Sequence, residues 1–219
     1  MKIATWNIER LKHKTNLATI TSILNGLQAD ILVLTETDKQ VVLSNYPYCI
    51  STPALISDEP QNYLPTENRV TIYSKYEIVN QYATFNEYTS LCVTLKTEQG
   101  DLVVYGTIMG VYGNRHADFK TDLAQQIIDF DKFSTHNNLC IVGDYNISFN
   151  DNYYFTNWGR EQLLDSFNKH NIELITSQMP ACIDHIAMSI FFLNKRKVLV
   201  TDWFYSKLSD HKGVLVEIE

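Results

Sequence analysis

Three short signatures toward the C-terminal end of the chain gather acids, amides and imidazoles in a pattern suited to one hydrolytic centre: Gly143-Asp144-Tyr145-Asn146, Ile183-Asp184-His185 and Ser209-Asp210-His211. Each follows or sits at an apolar run of strand character, so a sheet can deliver all three to a single edge. Leu139-Cys140-Ile141-Val142 reads as a buried strand, and Gly143 lets another backbone come close just before the acid. If the extended conformation continues, alternation puts Asp144 and Asn146 on the same side; the competing reading is a turn in which both bond their own backbone. Asp184 and His211 have the types for a carboxylate that holds one imidazole nitrogen while the other faces substrate. His185 follows Asp184 by one residue on a strand, so it points to the opposite face and is expected to be structural.

The opening of the chain supplies a second chemistry. Asn7 ends a strand over residues 2–7, and Glu36 directly follows the buried-looking strand Ile31-Leu32-Val33-Leu34. An amide oxygen and a carboxylate are hard donors, suited to Mg²⁺ or Mn²⁺ more than to zinc. Taken alone, Glu36 reads more readily as a loop carboxylate than as a metal ligand.

The elements that must position these groups follow from periodicity. Leu17, Ile20, Leu24 and Leu27 mark a helix over 16–27, giving a strand–helix–strand opening. Residues 38–67, with Pro47, Pro53, Pro60 and Pro65, read as a long loop with one short strand near Tyr48. Strands are predicted at 69–74, 88–96 and 101–108, with a hairpin turn at Gln99-Gly100-Asp101. A helix near 118–134 carries Phe119, Leu123, Ile127, Phe130 and Phe133 on one face and leads into strand 139–143. An aromatic loop from Phe149 to Trp158, a helix over 159–170, and strands at 183–189, 197–204 and 213–218 complete the chain. Many strands with a few amphipathic helices predict two packed sheets covered by helices rather than a doubly wound parallel sheet.

Composition sets the outer bounds. With 219 residues and 45% hydrophobic content, no repeat and no Pro/Gly-rich linker, a single domain over 1–219 is expected. Cys49, Cys92, Cys140 and Cys182 are spread singly and read as reduced core residues. The N-terminus turns polar at once and offers no signal peptide or membrane span, so a cytoplasmic monomer is expected. A net charge of −7 argues against nonspecific coating of nucleic acid, yet it is compatible with carboxylates gathered around a divalent cation.

Together the segments resemble the endonuclease/exonuclease/phosphatase superfamily, nearly end to end and in the family order. The carriers are Thr5-Trp6-Asn7-Ile8-Glu9, Leu34-Thr35-Glu36-Thr37 and the three signatures above. The resemblance implies an α+β, four-layer αββα sandwich, deoxyribonuclease I-like, with two mostly antiparallel sheets face to face and the active site at one end. It implies Glu36 as the principal metal-binding residue, Asn7 as support for the metal and phosphate region, and Asp210 near a metal. Asp144 would activate water or handle leaving-group protons, Asn146 would position the phosphate or nucleophile, and His211 would contact the phosphate or act as base, oriented by Asp184. Phosphodiester hydrolysis needs charge stabilisation on nonbridging oxygens, an activated water and stabilisation of the departing alkoxide, and this set supplies all three.

Two departures stand out. Glu9 replaces an aspartate frequent in the nuclease branch and makes a weaker metal ligand, and Ile108 or Met109 falls where a histidine or tyrosine often acts on the phosphate. Phosphate contacts are expected from Arg10, Lys12, Lys14, Asn114 and Arg115, against a reading of these as solvated loop residues, while Lys195-Arg196-Lys197 reads as a surface turn. Rings in the 149–158 loop, Trp158 among them, could stack on bases, though such rings commonly pack a loop onto its domain. The expected function is an Mg²⁺- or Mn²⁺-dependent phosphodiester hydrolase, an endo- or exonuclease on DNA. The alternatives are a soluble phosphatase or phosphodiesterase of inositol phosphates or lipid head groups, and a noncatalytic binding protein on the same fold.

Overall fold

A computed structural model describes residues 1–12, 16–56, 62–135, 138–194 and 196–219; Lys14, Pro60 and Lys195 lie outside them. In chain order the elements are β1 (Lys2–Asn7), α1 (Leu17–Gly26), β2 (Ile31–Asp38), β3 (Tyr48–Ser51), β4 (Glu67–Ser74), β5 (Glu77–Tyr82), β6 (Ser90–Thr97) and β7 (Gly100–Ile108). They continue as α2 (Phe119–Ser134), β8 (Asn138–Asp144), α3 (Asn157–Lys169), β9 (Ile172–Leu174), β10 (Asp184–Ser189), α4 (Ile190–Leu193), β11 (Val198–Trp203) and β12 (Gly213–Ile218).

The strands form two six-stranded sheets, ordered β11-β12-β1-β2-β4-β3 and β5-β6-β7-β8-β10-β9. Each is antiparallel except for one central parallel pair, β1/β2 in the first and β7/β8 in the second. Parallel neighbours need a crossover, and α1 and α2 provide it. Helix α1 buries Ile20 and Leu24 against Ala4, Trp6, Leu32 and Leu34. Helix α2 buries Phe119, Leu123, Phe130 and Phe133 against Val103, Tyr105, Leu139 and Ile141. The opposite faces of the same strands, among them Ile3, Val33, Val70 and Ile72 from one sheet and Val104, Val142 and Ile186 from the other, form the apolar layer between the sheets. Strict alternation therefore yields four layers, helix, sheet, sheet and helix, the αββα sandwich expected from the sequence.

Several local expectations shift. Strand β2 runs past Glu36 to Asp38, because Thr37 and Asp38 pair with Asn68 and Glu67 across a local irregularity at Glu36, whose φ is 42°. Thr97 pairs with Gly100, so the hairpin turn is Glu98-Gln99, one residue earlier than the sequence suggests. Strands β5 and β9 and the short α4 were not anticipated. β5 is a polar, largely exposed edge strand and β9 spans three residues, so neither carries a readable alternation. Cys92, Cys140 and Cys182 are buried as expected, but Cys49 is exposed on the edge strand β3, outside the core.

Gly143 fixes the contact between β7 and β8 just before Asp144. Its φ is +139°, and a Cβ there would stand 2.1 Å from the Thr107 carbonyl oxygen. Gly143→Ala is expected to lower stability by roughly 2–4 kcal/mol, combining backbone strain with overpacking. Urea unfolding monitored by circular dichroism measures this, and an unchanged midpoint would contradict the packing argument.

Candidate active site

Alternation also decides which polar side chains reach the inner edge. Asn7 continues the inward face of Ile3, Asp144 that of Cys140 and Val142, and Asp184 that of Ile186 and Met188. The two sheets meet through them: Asn7 Nδ2 donates to Asp144 Oδ2 at 3.1 Å. Asp144 and Asp184 sit directly opposite each other in the β8/β10 pairing. The His211 ring joins them, its Nδ1 lying 2.6 Å from Asp184 Oδ2, and the donor and acceptor atoms of all three residues fall within 4.8 Å of one another.

His211 is anchored through its backbone. Its N–H donates to Ser209 Oγ at 3.0 Å, Ser209 Oγ donates to the Asn7 carbonyl at 2.7 Å, and Trp6 Nε1 donates to the His211 carbonyl at 3.1 Å. Ser209 and Trp6 were not singled out from sequence as positioning residues. Their place within the signature segments was the available signal.

Asn146 departs from the extended path, with φ 51°. Its N–H donates to Asp144 Oδ1 at 2.8 Å, the turn reading, while its side-chain amide donates to the Met109 and Gly110 carbonyls at 3.1 and 3.2 Å. Asn146 thus fixes Asp144 and ties it to the end of β7. His185 lies on the opposite face, as expected. It is buried, with Nε2 at 2.9 Å from the Ile147 carbonyl and Nδ1 at 2.9 Å from Thr176 Oγ1. Burial depresses its pKa to about 4, so the ring is neutral, donating from Nε2 and accepting at Nδ1.

The electrostatics of the edge follow from burial and proximity. Burial raises the Asp144 carboxyl, the His211 charge opposes that rise, and Asp184 adds to it. For His211, burial by itself would lower the ring, but the carboxylates of Asp184 and Asp144 outweigh it and lift the pKa to about 10. At neutral pH the ring is an imidazolium, donating to Asp184 from Nδ1 and presenting Nε2–H on the side of Asp210, whose Oδ1 is 3.6 Å away.

The expected metal ligands fall in two hydrogen-bonded groups, Asn7 with Glu9 and Asp210, and Glu36 with Arg10. Asn7 Oδ1 accepts from the Glu9 N–H at 3.0 Å, and Glu9 Oε2 accepts from the Asp210 N–H at 3.2 Å. The Asp210 side chain is 75% exposed and open to a ligand. Glu36 is held by Arg10 Nε at 3.2 Å, with Arg69 Nη1 3.9 Å from its other oxygen. This set is entirely oxygen, and Glu36 already attracts cationic groups, so the residues fit a hard divalent cation.

The expected substrate contacts divide. Arg10 borders the edge but is engaged by Glu36. Asn114 is buried and donates to the Asn146 carbonyl at 2.6 Å, so it supports that loop. Arg115 is exposed, its guanidinium 5.6 Å from the Tyr154 ring centre. Trp158 packs against the α2/α3 layer beneath Lys120, and does not line the cleft. That cleft, about 340 Å³, is lined by Asn146, Tyr153, Tyr154, Ile183, Asp210 and His211, so the loop's rings that do reach the site are its two tyrosines. A larger groove of about 940 Å³ lies toward β3 and β5 and, among the described residues, is lined by no comparable acid–imidazole set. Ile108 and Met109 at the end of β7 are buried and apolar.

A two-sheet sandwich with this edge is a phosphoesterase fold. The chain belongs to the Endonuclease/Exonuclease/phosphatase family, whose model matches residues 4–211. The 3′ phosphatase NExo from Neisseria, bound to a product DNA hairpin, superposes with TM-score 0.74 at 18% identity, covering 100% of this chain and 99% of that one. An AP endonuclease from Archaeoglobus fulgidus gives 0.74 at 13% identity, covering 100% and 99%. An endonuclease/exonuclease/phosphatase from Beutenbergia cavernae gives 0.73 at 16% identity, covering 100% of this chain and 71% of that one. No curated protein sequence matches significantly. No helix among the described residues is long and apolar enough to cross a membrane.

In Asp184→Asn the His211 ring is expected to titrate far below about 10, toward the ordinary value near 6.5, by NMR of its ring protons. Because the folded value lies above the unfolded one, the stabilisation from His211 is complete below about 6.5 and is lost as pH rises toward about 10. The stability advantage of the native chain over Asp184→Asn should therefore shrink across that window in urea titrations. A constant difference would contradict the charge assignment.

Proposed function

We propose that the chain is a divalent-metal-dependent phosphodiester hydrolase, an endo- or exonuclease acting on DNA. The observation that carries this reading is the Asp144, Asp184 and His211 cluster at the sheet edge, with Asn7, Glu9 and Asp210 beside it. A neighbour of the same fold that is bound to a DNA hairpin, and another that is an AP endonuclease, support DNA as the substrate class. The 3′ phosphatase name of the first makes a phosphomonoester the second class to assay. We read the protein as one domain over residues 1–219, acting as a monomer in the cytoplasm.

The roles combine this geometry with the family resemblance. Asp144, raised toward neutrality by burial, accepts a proton from the attacking water, and Asn7 and Asn146 hold its oxygens in place. His211, an imidazolium fixed by Asp184, donates from Nε2 to a nonbridging phosphate oxygen where charge builds. Glu36, Asn7 and Asp210, with Glu9 as a weaker partner, would hold Mg²⁺, or Mn²⁺, which supplies charge neutralisation on the phosphate when bound. The buried Ile108 and Met109 provide no second acid, so the departing oxygen takes its proton from solvent in the open cleft.

Asp144→Ala and His211→Ala are each expected to lower kcat/KM by about 10²–10⁴-fold. EDTA should abolish turnover and added Mg²⁺ restore it. Plasmid DNA, abasic duplex, single-stranded DNA, a 3′-phosphorylated hairpin and inositol phosphates form the panel. Cleavage of inositol phosphates alone would overturn the nuclease reading, and full activity in both variants would overturn the site.

A further inference from the structure

The strand end that carries Glu36 is built around two arginines. Strands β1 and β2 run parallel with Asn7 beside Thr35, so the turn leaving β1 passes Glu36 on the next strand. Glu9, Arg10 and Leu11 all take left-handed backbone angles, with φ 49°, 52° and 55°, and Glu36 does so at 42°. Non-glycine residues are disfavoured there, and a run of them is held by the contacts it makes possible. Those contacts include an ionic set. Arg10 reaches Glu36 Oε2 at 3.2 Å and Glu67 Oε2 at 3.7 Å, while Arg69 stands 3.9 Å from Glu36 Oε1.

The two arginines differ in freedom. Arg69 donates to the Tyr63 hydroxyl at 2.8 Å, and its side chain is only 8% exposed. Arg10 stacks on the same ring, 5.1 Å from its centre, but both it and Glu36 are 19% exposed at the mouth of the edge. Arg69 is thus a fixed wall and Arg10 the arm that can leave. A divalent cation on Glu36 would compete with Arg10, whose guanidinium is 3.2 Å from Oε2, for the charge of one carboxylate, and the two like charges would repel at that distance. A guanidinium released at that point remains tethered next to Asn7, with its planar donors matched to phosphate oxygens.

We propose that Arg10 is a displaceable arm that couples cation binding to phosphoester binding. It closes on Glu36 and Glu67 in the absence of a divalent cation and turns to a nonbridging phosphate oxygen once Glu36 is occupied. This rests on the reading of Glu36 as a metal ligand. By linkage, the cation and the phosphate then favour each other's binding through Arg10, and the cation alone binds less tightly than its ligand set would permit.

Calorimetric titration of Mg²⁺ into the full chain without substrate tests the arm directly. Arg10→Gln is expected to bind Mg²⁺ roughly five- to tenfold more tightly than the native chain, at the low end of site-to-site couplings because the pair is partly exposed. Arg10→Lys, which keeps the competing charge, should bind close to native, and circular dichroism confirms that both variants are folded. Glu36→Gln should weaken Mg²⁺ binding. In a second arm, Mg²⁺ should tighten binding of inorganic phosphate to the native chain, and this enhancement should largely vanish in Arg10→Gln. Unchanged or weaker Mg²⁺ binding in Arg10→Gln, with Glu36→Gln impaired, would overturn the arm and leave Glu36 as a ligand. Unchanged Mg²⁺ binding in Glu36→Gln would overturn the ligand reading and the arm with it.

Discussion

Two buried carboxylates on directly paired residues, Asp144 on β8 and Asp184 on β10, impose the constraint around which the open end of the sandwich is organised. Like charges opposite each other in a sheet repel, and burial makes the repulsion costly unless a cation is held between them. His211 is that cation. Its ring reaches the pair from the other sheet, beside the start of β12, and is locked there by Ser209 on the Asn7 carbonyl and by Trp6. The same contacts that set the imidazole for chemistry therefore clamp the two sheets together at the end where the apolar layer stops. A lesion in this chain affects stability and reactivity together, and the two are separable only by their pH dependence.

The position of that end follows from the doubled strand–helix–strand units. Each sheet places its one parallel pair at its centre, and the C-terminal ends of β1, β2, β7 and β8 share an edge, as the Asn7–Asp144 hydrogen bond requires. Parallel strands release their chain in the same direction, so each sheet supplies two adjacent loops there. One pair delivers Asn7 with Glu9–Arg10 and Glu36. The other delivers the Met109–Gly110 carbonyls and Asp144 with Asn146. The antiparallel neighbours β10 and β12 begin at this edge and bring in Asp184 and His211.

Much of this was legible in the sequence because the information is periodic or local. Alternation in β8 and β10 gave the inward carboxylates and sent His185 outward, and the amphipathic repeats of α1 and α2 gave the crossovers. The edge strand β5 escaped because a strand exposed on its polar face shows no alternation. The bend at Glu36 escaped, and the turn at Asn146 stood only as one of two open readings, because left-handed backbone at non-glycine residues has no reliable sequence mark. The least legible feature was ionic pairing between distant segments. Nothing local to Arg10, Tyr63, Glu67 or Arg69 announces that they converge on Glu36, so Arg10 was read as a phosphate contact without its competing carboxylates. Likewise Asn114 and Trp158 border the right loops by sequence, but a side chain's direction is set by tertiary packing, which turns one under Asn146 and the other onto the helical layer.

The charge balance at the edge is dominated by carboxylates. Among the described residues, Glu9, Glu36, Glu67, Asp184 and Asp210 pair with Arg10, Lys12, Arg69 and His211, and Asp144 lies beside His211. Most of those cations are already committed to a carboxylate at hydrogen-bond distance. A phosphoester entering this field would meet net negative charge, and its association would be slowed and weakened. The imidazolium alone does not offset the excess, because its own charge is shared by Asp184 and Asp144. On the proposed reading, a divalent cation at Glu36 would offset that excess and release the Arg10 guanidinium in the same event. On that reading, the cation and an anionic substrate would each favour the other's binding at this acidic edge.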